Sequence, residues 1–399
     1  MAKVGFFIES LSEGGLRTFI RNLIVSCDPK SEIILVCNSE LKKNNELNKV
    51  LSKRRNVKVN YYSIFSIEKL SKKSFKFLKI FYGVIFPFIF FNQFLKLSRI
   101  FKKINLDKLM IINGGYPGSE ICSAACVAWN NLNPKKKIFI NFHNFALQKN
   151  KDLILDFYNN LIDFYLSKLP IYFISVSKIC SKSLKLRKYL RQKKVKTIYN
   201  GFSRFSVFSK KKISLRKKYK FKKFNKILLM LAEYTDRKGY DFIFQVMKQL
   251  NYNKLDYKLV VFGHGNIDKY KKKVLENKLS NSVFLNNHFS NNLSLIKQSD
   301  FLVIPSQKEE SFGYTAIEAM SQKKVVIASK TGGLSEIIKD KSSGLLVDPS
   351  NPKLFAKKII QINGNSKLKE NIIKNAYLRY KLFFKASTMF ENYFKFLTK

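Results

Sequence analysis

Acidic residues are scarce in this chain: 27 Asp and Glu stand against 75 Lys and Arg, a formal charge of +48 over 399 residues. A surplus of that size favours anionic partners such as phosphates, nucleic acid or acidic lipid surfaces. The lysines are nevertheless spread along the whole chain beside abundant Asn, Ile and Phe, as a composition bias leaves them. Cysteine is scarce too. The five present form no paired framework, and Cys122 with Cys126 has only helical i, i+4 spacing with no His or further Cys nearby, which argues for a reducing cytosol and against a zinc site. The P-loop pattern is absent, and Gly263-His264-Gly265 is followed by Asp268 where a dinucleotide fingerprint needs a third glycine, so ATPase and NAD readings lose their main support. No Asp-x-Asp pair occurs, which leaves a metal bridging a diphosphate without obvious ligands; the chain is expected to work without a metal or other cofactor.

Long apolar runs are missing as well. The run Val4 to Ile8 is cut off by Glu9, far short of a signal-peptide core, which suggests a protein that is not exported. The one membrane candidate, Ile80 to Phe91, has twelve residues including Gly83 and Pro87, against the about 20 that a spanning helix needs. Lys72, Lys73, Lys76 and Lys79 precede it and Lys96, Arg99, Lys102 and Lys103 follow it. Two readings stay open: a segment lying in a bilayer interface with its cations toward lipid phosphates, and a buried helix of the first domain.

What the chain does contain is the composition of a globular protein, 46% apolar and 26% charged, with length for two domains. Val4 to Ile8, Glu32 to Cys37, Val57 to Tyr62, Lys108 to Ile112, Lys137 to Phe142, Ile171 to Val176 and Val195 to Tyr199 read as strands, most of them apolar on both faces. A second set follows the basic stretch Lys210 to Lys226: Ile227 to Leu231, Lys258 to Phe262, Val283 to Leu285, Phe301 to Ile304, Val325 to Ala328 and Gly344 to Val347. Strands apolar on both faces, separated by helical segments, predict two doubly wound α/β units with parallel sheets. The turn signal Asn200-Gly201 puts the boundary there, giving domains 1–203 and 204–382. After Pro352 the pattern is helical to the end, and residues 383–399 are expected to return to the first domain. Two such domains facing each other leave a cleft at the carboxyl ends of their strands, so chemistry is sought in the loops after strands.

Four features stand in such loops. Gly14-Gly15 precedes the helical run Leu16 to Val25, where backbone N–H groups at a helix N-terminus favour an anion. Arg237-Lys238-Gly239 follows a buried strand and opens a helix, so both cations can reach the cleft. Glu310 lies before a helix and Glu318 within its first turns, which suits two carboxylates accepting hydrogen bonds from ligand hydroxyls. Between them Phe312, Gly313 and Tyr314 offer main-chain N–H groups. His288 and Phe289, after another strand, are candidates for lining a base pocket.

The Glu310 to Glu318 spacing of Glu-x7-Glu is followed by Thr331-Gly332-Gly333-Leu334-Ser335-Glu336 and by Ser343-Gly344-Leu345-Leu346-Val347-Asp348-Pro349. Together these resemble the family 4 retaining glycosyltransferases of GT-B fold. The likeness extends to Gly14-Gly15, His143, Val176-Ser177, Ile198-Tyr199-Asn200-Gly201, Arg237-Lys238-Gly239 and Phe262-Gly263-His264-Gly265, strong in the second domain and loose in the first.

The resemblance implies that Glu318 holds the ribose hydroxyls of a sugar nucleotide, that Glu310 contacts hydroxyls of the donor sugar, and that Lys238 neutralises the diphosphate with help from Gly14, Gly15 and the amides of Phe312 to Tyr314. It implies that His143 approaches the donor sugar near its hydroxymethyl group. It further implies transfer of a hexose-type sugar, with retention, to a saccharide or lipid-linked saccharide, as in bacterial lipopolysaccharide, O-antigen or capsule assembly, by a cytoplasmic protein working at the inner membrane surface. One position departs from the family: where it usually carries Gly-Arg after the first strand of the second domain, this chain has Ala232-Glu233, a carboxylate expected to repel the donor, with Arg237 the nearest substitute.

Three other readings compete. A nucleotide-sugar epimerase of related fold would convert the sugar nucleotide without acceptor. A binding protein for nucleic acid or membrane would explain the charge, but no nucleic-acid module is present and the cations are dispersed. A degenerate transferase that binds donor without turnover would explain Glu233.

Overall fold

A strand whose residues are buried on both faces has no side to give to water, and it is stable only when helices cover both. In the computed structural model, which describes residues 3–9, 14–66, 78–150, 153–206, 213–253, 255–289 and 291–398, the inner strands have this character. All five residues of β5 (Ile138–Phe142) and of β12 (Val325–Ser329) are buried. The other strands of the first set are β1 (Lys3–Ile8), β2 (Glu32–Asn38), β3 (Val57–Tyr62), β4 (Lys108–Asn113), β6 (Ile171–Ser175) and β7 (Val195–Thr197). The second set is β8 (Lys226–Leu231), β9 (Tyr257–Gly263), β10 (Val283–Asn287), β11 (Phe301–Ile304), β12 and β13 (Leu345–Val347).

The seven strands form one parallel sheet in the order β3-β2-β1-β4-β5-β6-β7, and the six form another in the order β10-β9-β8-β11-β12-β13. Both orders are doubly wound, reversing between β1 and β4 in the first sheet and between β8 and β11 in the second. Ligands of such sheets sit at the carboxyl ends beside the reversal. The loops that matter in the second sheet are therefore those after β8 and β11.

The chain divides into two compact units, residues 1–201 with 386–399, and residues 202–385. The terminal helix Ala386–Thr398 belongs to the first: Asn141 Nδ2 donates to Tyr393 Oη at 3.0 Å, and Phe396 meets Phe139 edge to face. The helix Glu120–Leu132 buries Cys122 and Cys126, and burial pushes the Cys122 thiol up to about 12.

One expectation is corrected. The apolar segment marked at 80–91 is part of a 27-residue helix, Leu78–Ile104, that runs through Pro87. A proline inside a helix leaves the carbonyl four residues earlier without its N–H partner. Here that carbonyl belongs to Gly83, and Tyr158 Oη donates to it from the helix Leu153–Ser167. A hydroxyl from a distant part of the sequence thus replaces the missing amide.

The first unit also buries an ion pair completely. Arg187 Nε donates to Asp163 Oδ2 at 2.7 Å, with the two side chains 1% and 0% exposed. Tyr116 Oη donates to Asp163 Oδ1 at 2.7 Å, and Arg187 Nη1 donates to the carbonyls of Leu147 and Gln148 at 3.1 and 3.3 Å. The pair therefore anchors the loop that follows His143. Removing one partner strands a charge in the interior, so Arg187→Ala is expected to destabilise the first unit by about 3–5 kcal/mol. Urea denaturation checks this, and the double variant Asp163→Leu, Arg187→Met should lose clearly less.

Candidate functional site

In the second unit, β8 delivers the chain to Ala232 and Glu233, and a single 3-10 turn, Asp236–Lys238, precedes the helix Tyr240–Tyr252. Gly239 joins turn and helix in the left-handed region, φ 79°, and a Cβ there would lie 1.9 Å from the carbonyl oxygen of Pro305. Only glycine lets the loop after β8 come this close to the loop after β11. Gln307 N donates to Arg237 O at 2.9 Å and closes the same contact.

On the far side the Thr331-Gly332-Gly333 turn grips the backbone of Glu310. Gly333 N donates to Glu310 O at 2.6 Å, and a Cβ on Gly332, φ 47°, would stand 2.3 Å from that oxygen. Glu310 is therefore held by backbone on one side and faces cations on the other. Its Oε1 accepts from Lys238 Nζ at 2.5 Å and from Ser306 Oγ at 2.7 Å, with Arg237 Nη1 at 3.6 Å. Burial pushes the Glu310 carboxyl up, but the charge and hydrogen bond of Lys238, the Ser306 hydroxyl and Arg237 outweigh it and hold the group below its ordinary value of 4.5.

Glu233, expected to act against an anionic ligand, is instead 3.8 Å from Arg237 Nη2. Arg237 thus lies between two carboxylates, and two cations face two anions in these loops. Glu318 is buried in the helix Tyr314–Ser321, where Asn292 Nδ2 donates to its Oε2 at 3.5 Å. Phe312 is buried against Tyr314 and Phe384, and Gly313, φ 120°, starts the helix without a side-chain cap, so the positive end of its dipole faces the loop. His288 is exposed, its ring 6.2 Å from that of His264, and Phe289 lies 5.9 Å from Phe262.

In the first unit, Gly14 precedes the helix Gly15–Val25 with φ 112°, and its carbonyl accepts from Thr18. Phe19 of that helix packs 4.1 Å from the His143 ring, which brings the Gly14-Gly15 helix and His143 together. Asn141 Nδ2 donates to Ile174 O and Tyr393 Oη, so its Oδ1 is the acceptor for His143 Nε2 at 2.5 Å, and Nε2 carries the hydrogen. Burial lowers the imidazole to about 3.

The sequence reading did not find Ser306, Asn292 or Asn141 as partners. Ser306 was visible only as part of the polar loop after β11, and the two asparagines carry no local signal.

Residues 211–379 match the family Glycosyl transferases group 1. The match takes in most of the second unit. An uncharacterized glycosyltransferase of Methanocaldococcus jannaschii is 33% identical over 149 residues, 37% of this chain and 41% of that protein. The lipopolysaccharide 1,2-N-acetylglucosaminetransferase of Salmonella typhimurium is 27% identical over 225 residues, 53% of this chain and 54% of that one. The chain spans about half the length of the curated relatives it matches. The crystal structure of Anabaena HepE in complex with UDP shares 16% identity at a TM-score of 0.73 and covers 99% of both chains. These likenesses show the fold, and it is the GT-B class expected from the sequence.

Two outcomes follow for the group 1 unit and its companion. A carboxyl held below its ordinary value lends stability that is fully present above that value and is lost as pH falls through the lowered one. Acid unfolding of the second unit should therefore shift to higher pH in Lys238→Met, seen by circular dichroism below about pH 4.5. His143 binds its proton less readily folded than unfolded, so its ring resonances should not titrate between about pH 5 and 8 in NMR spectra.

Proposed function

We propose that the protein is a retaining glycosyltransferase. It moves a hexose-type sugar from a nucleoside diphosphate sugar to a hydroxyl of a saccharide or lipid-linked saccharide, without a metal, on the cytoplasmic side of a membrane where surface polysaccharide is assembled. The observation that carries this reading is the meeting of Arg237, Lys238 and Glu310 beside the reversal of the second sheet, in a group 1 glycosyltransferase domain. The UDP bound by HepE supports a nucleoside diphosphate donor, and the name of the Salmonella relative supports a surface-polysaccharide product.

As the bond between sugar and diphosphate breaks, negative charge grows on the leaving oxygens. Lys238 and Arg237, already fixed by Glu310, stabilise that charge more than the ground state, and the helix dipole at Gly313 adds to it. Lys238 keeps three donor hydrogens, so it serves Glu310 and a phosphate oxygen at once. All three contacts of Glu310 fall on Oε1, and Oε2 accepts from a hydroxyl of the donor sugar. Glu318, oriented by Asn292, accepts from the ribose, and Phe289 and His288 line the base. His143, uncharged and with its Nε2 hydrogen engaged by Asn141, keeps only Nδ1, an acceptor, for a sugar hydroxyl and supplies no acid catalysis. With front-face attack the departing phosphate takes the acceptor proton, and no separate base is required.

The test is a thermal-shift screen against UDP-, GDP-, ADP- and CMP-sugars in EDTA. One nucleotide class should raise the midpoint and Glu318→Ala should abolish the rise, because a ligand that binds only the native state must stabilise it. No rise with any class would overturn the reading. With the donor identified, Lys238→Ala should lower kcat by about 10².

A further inference from the structure

We propose that Asn141, braced by Tyr393 of the terminal helix, is a positioning residue that makes His143 a fixed hydrogen-bond acceptor, and that this acceptor selects a hydroxyl of the donor sugar, a role that rests on the donor reading above.

A neutral imidazole has one nitrogen that donates and one that accepts, and its neighbours decide which is which. An asparagine beside it decides nothing alone, because a half-turn of its amide exchanges oxygen and nitrogen. In this protein the half-turn is barred. Asn141 lies wholly buried in β5, with its Nδ2 3.3 Å from Ile174 O of the neighbouring strand β6 and 3.0 Å from Tyr393 Oη. A backbone carbonyl only accepts, so a turned amide would press two acceptors together in the interior. Oδ1 is thereby committed to His143, and the imidazole hydrogen to Nε2. Burial pushes the Tyr393 hydroxyl well above its ordinary value, so the brace stays uncharged. It reaches Asn141 from 252 positions along the chain and makes the terminal helix a part of the site.

The other nitrogen of His143 is in the opposite condition. Nδ1 is buried and meets no hydrogen-bond partner among the described residues. Burial alone lowers the imidazole to about 3, so Nδ1 carries a lone pair and no proton in the neutral range. The residue is held in place as well: its backbone N–H donates to Asn113 O at 3.1 Å, and Phe19 packs both on its ring and, at 5.5 Å, on that of Tyr393. A buried acceptor without a donor is costly, and proteins keep such groups for a purpose. His143 follows β5, one strand from the reversal of the first sheet, where ligands of doubly wound sheets sit.

An acceptor with no hydrogen of its own tells substituents apart. A hydroxyl gives its hydrogen to Nδ1; a methylene or a fluorine has none to give, and a carboxylate would set lone pair against lone pair. A sugar that keeps a hydroxyl at this point is favoured, and one with an acidic group there is turned away.

The test has one arm without nucleotide and one with it. The full chain holds three histidines, so nitrogen-15 labelling of histidine gives three sets of ring signals in long-range proton–nitrogen spectra, and His143 is the set lost in His143→Gln. Its hydrogen should be on Nε2 and its Nδ1 bare between about pH 5 and 8. Tyr393→Phe, which removes one oxygen, should show both tautomers. Asn141→Asp should put a second proton on Nδ1 in the same range, because a carboxylate favours the charged ring. A hydrogen on Nδ1 of the wild-type chain overturns the proposal, as does either folded variant keeping the wild-type pattern; the wild-type spectrum decides even where a variant fails to fold. The second arm takes the donor found in the thermal-shift screen and replaces each sugar hydroxyl in turn by hydrogen or by fluorine. At one hydroxyl both replacements should lower kcat/KM alike, by about tenfold, and Tyr393→Phe should shrink that loss to about threefold or less while leaving the losses at the other hydroxyls unchanged. Fluorine serving as well as hydroxyl at every position would mean that the protein donates there, and it overturns the proposal. The expected spectra with no nucleotide sugar bound would overturn the transferase reading and the sugar-selecting role with it, whereas turnover with the wrong spectra would overturn this inference alone.

Discussion

The candidate donor site depends on how closely backbones can approach. Gly239 lies against the Pro305 carbonyl, Gly332 and Gly333 lie against Glu310 and Ser311, and a Cβ on Gly263 would stand 1.9 Å from the Ala232 carbonyl oxygen. Side chains at these positions would push apart the loops after β8, β9, β11 and β12. The ion pairs joining Lys238 and Arg237 to Glu310 span 72 and 73 positions in sequence, and they exist because hydrogen-sized side groups let the loops meet. The glycines that make the motifs recognisable are the same ones that make the geometry possible.

The loop carrying the two cations is nearly neutral in sum. Lys238 and Arg237 face Glu310 and Glu233, so the diphosphate proposed for this site would compete with carboxylates already in place. The contacts differ in strength. Lys238 to Glu310 is short and mostly buried, whereas Arg237 sits 3.6 and 3.8 Å from its partners with its side chain 43% exposed. Solvent screens the longer contacts, and the guanidinium is the more readily released of the two cations.

All thirteen strands of the described residues were legible within about two residues of their ends, the inner ones because burial on both faces writes a short apolar run, and the edge strands β3, β7 and β10 from their β-branched and aromatic residues. The three closing helices were legible from Pro352 onward for the complementary reason, an unbroken helical period. The long first-unit helix was not, since Gly83 and Pro87 read locally as breakers and the repair comes from Tyr158. Glu310 and Lys238 as polar residues in post-strand loops, and Glu318 in the helix that follows, were legible. Their pairing was not, because nothing in a linear pattern says that residue 238 meets residue 310. The buried Asp163–Arg187 pair left no trace at all: in so basic a chain one arginine looks like the others.

The hydroxyl that Tyr158 lends to Gly83 also acts as a rivet between two rods. A helix pair packed only by oily side chains can slip by a turn and find nearly equivalent contacts. This pair cannot, because slippage would leave one carbonyl bare at the proline break. The phase between the neighbouring helices is thereby fixed to a single value. Whatever surface the pair presents, it presents as one rigid pattern.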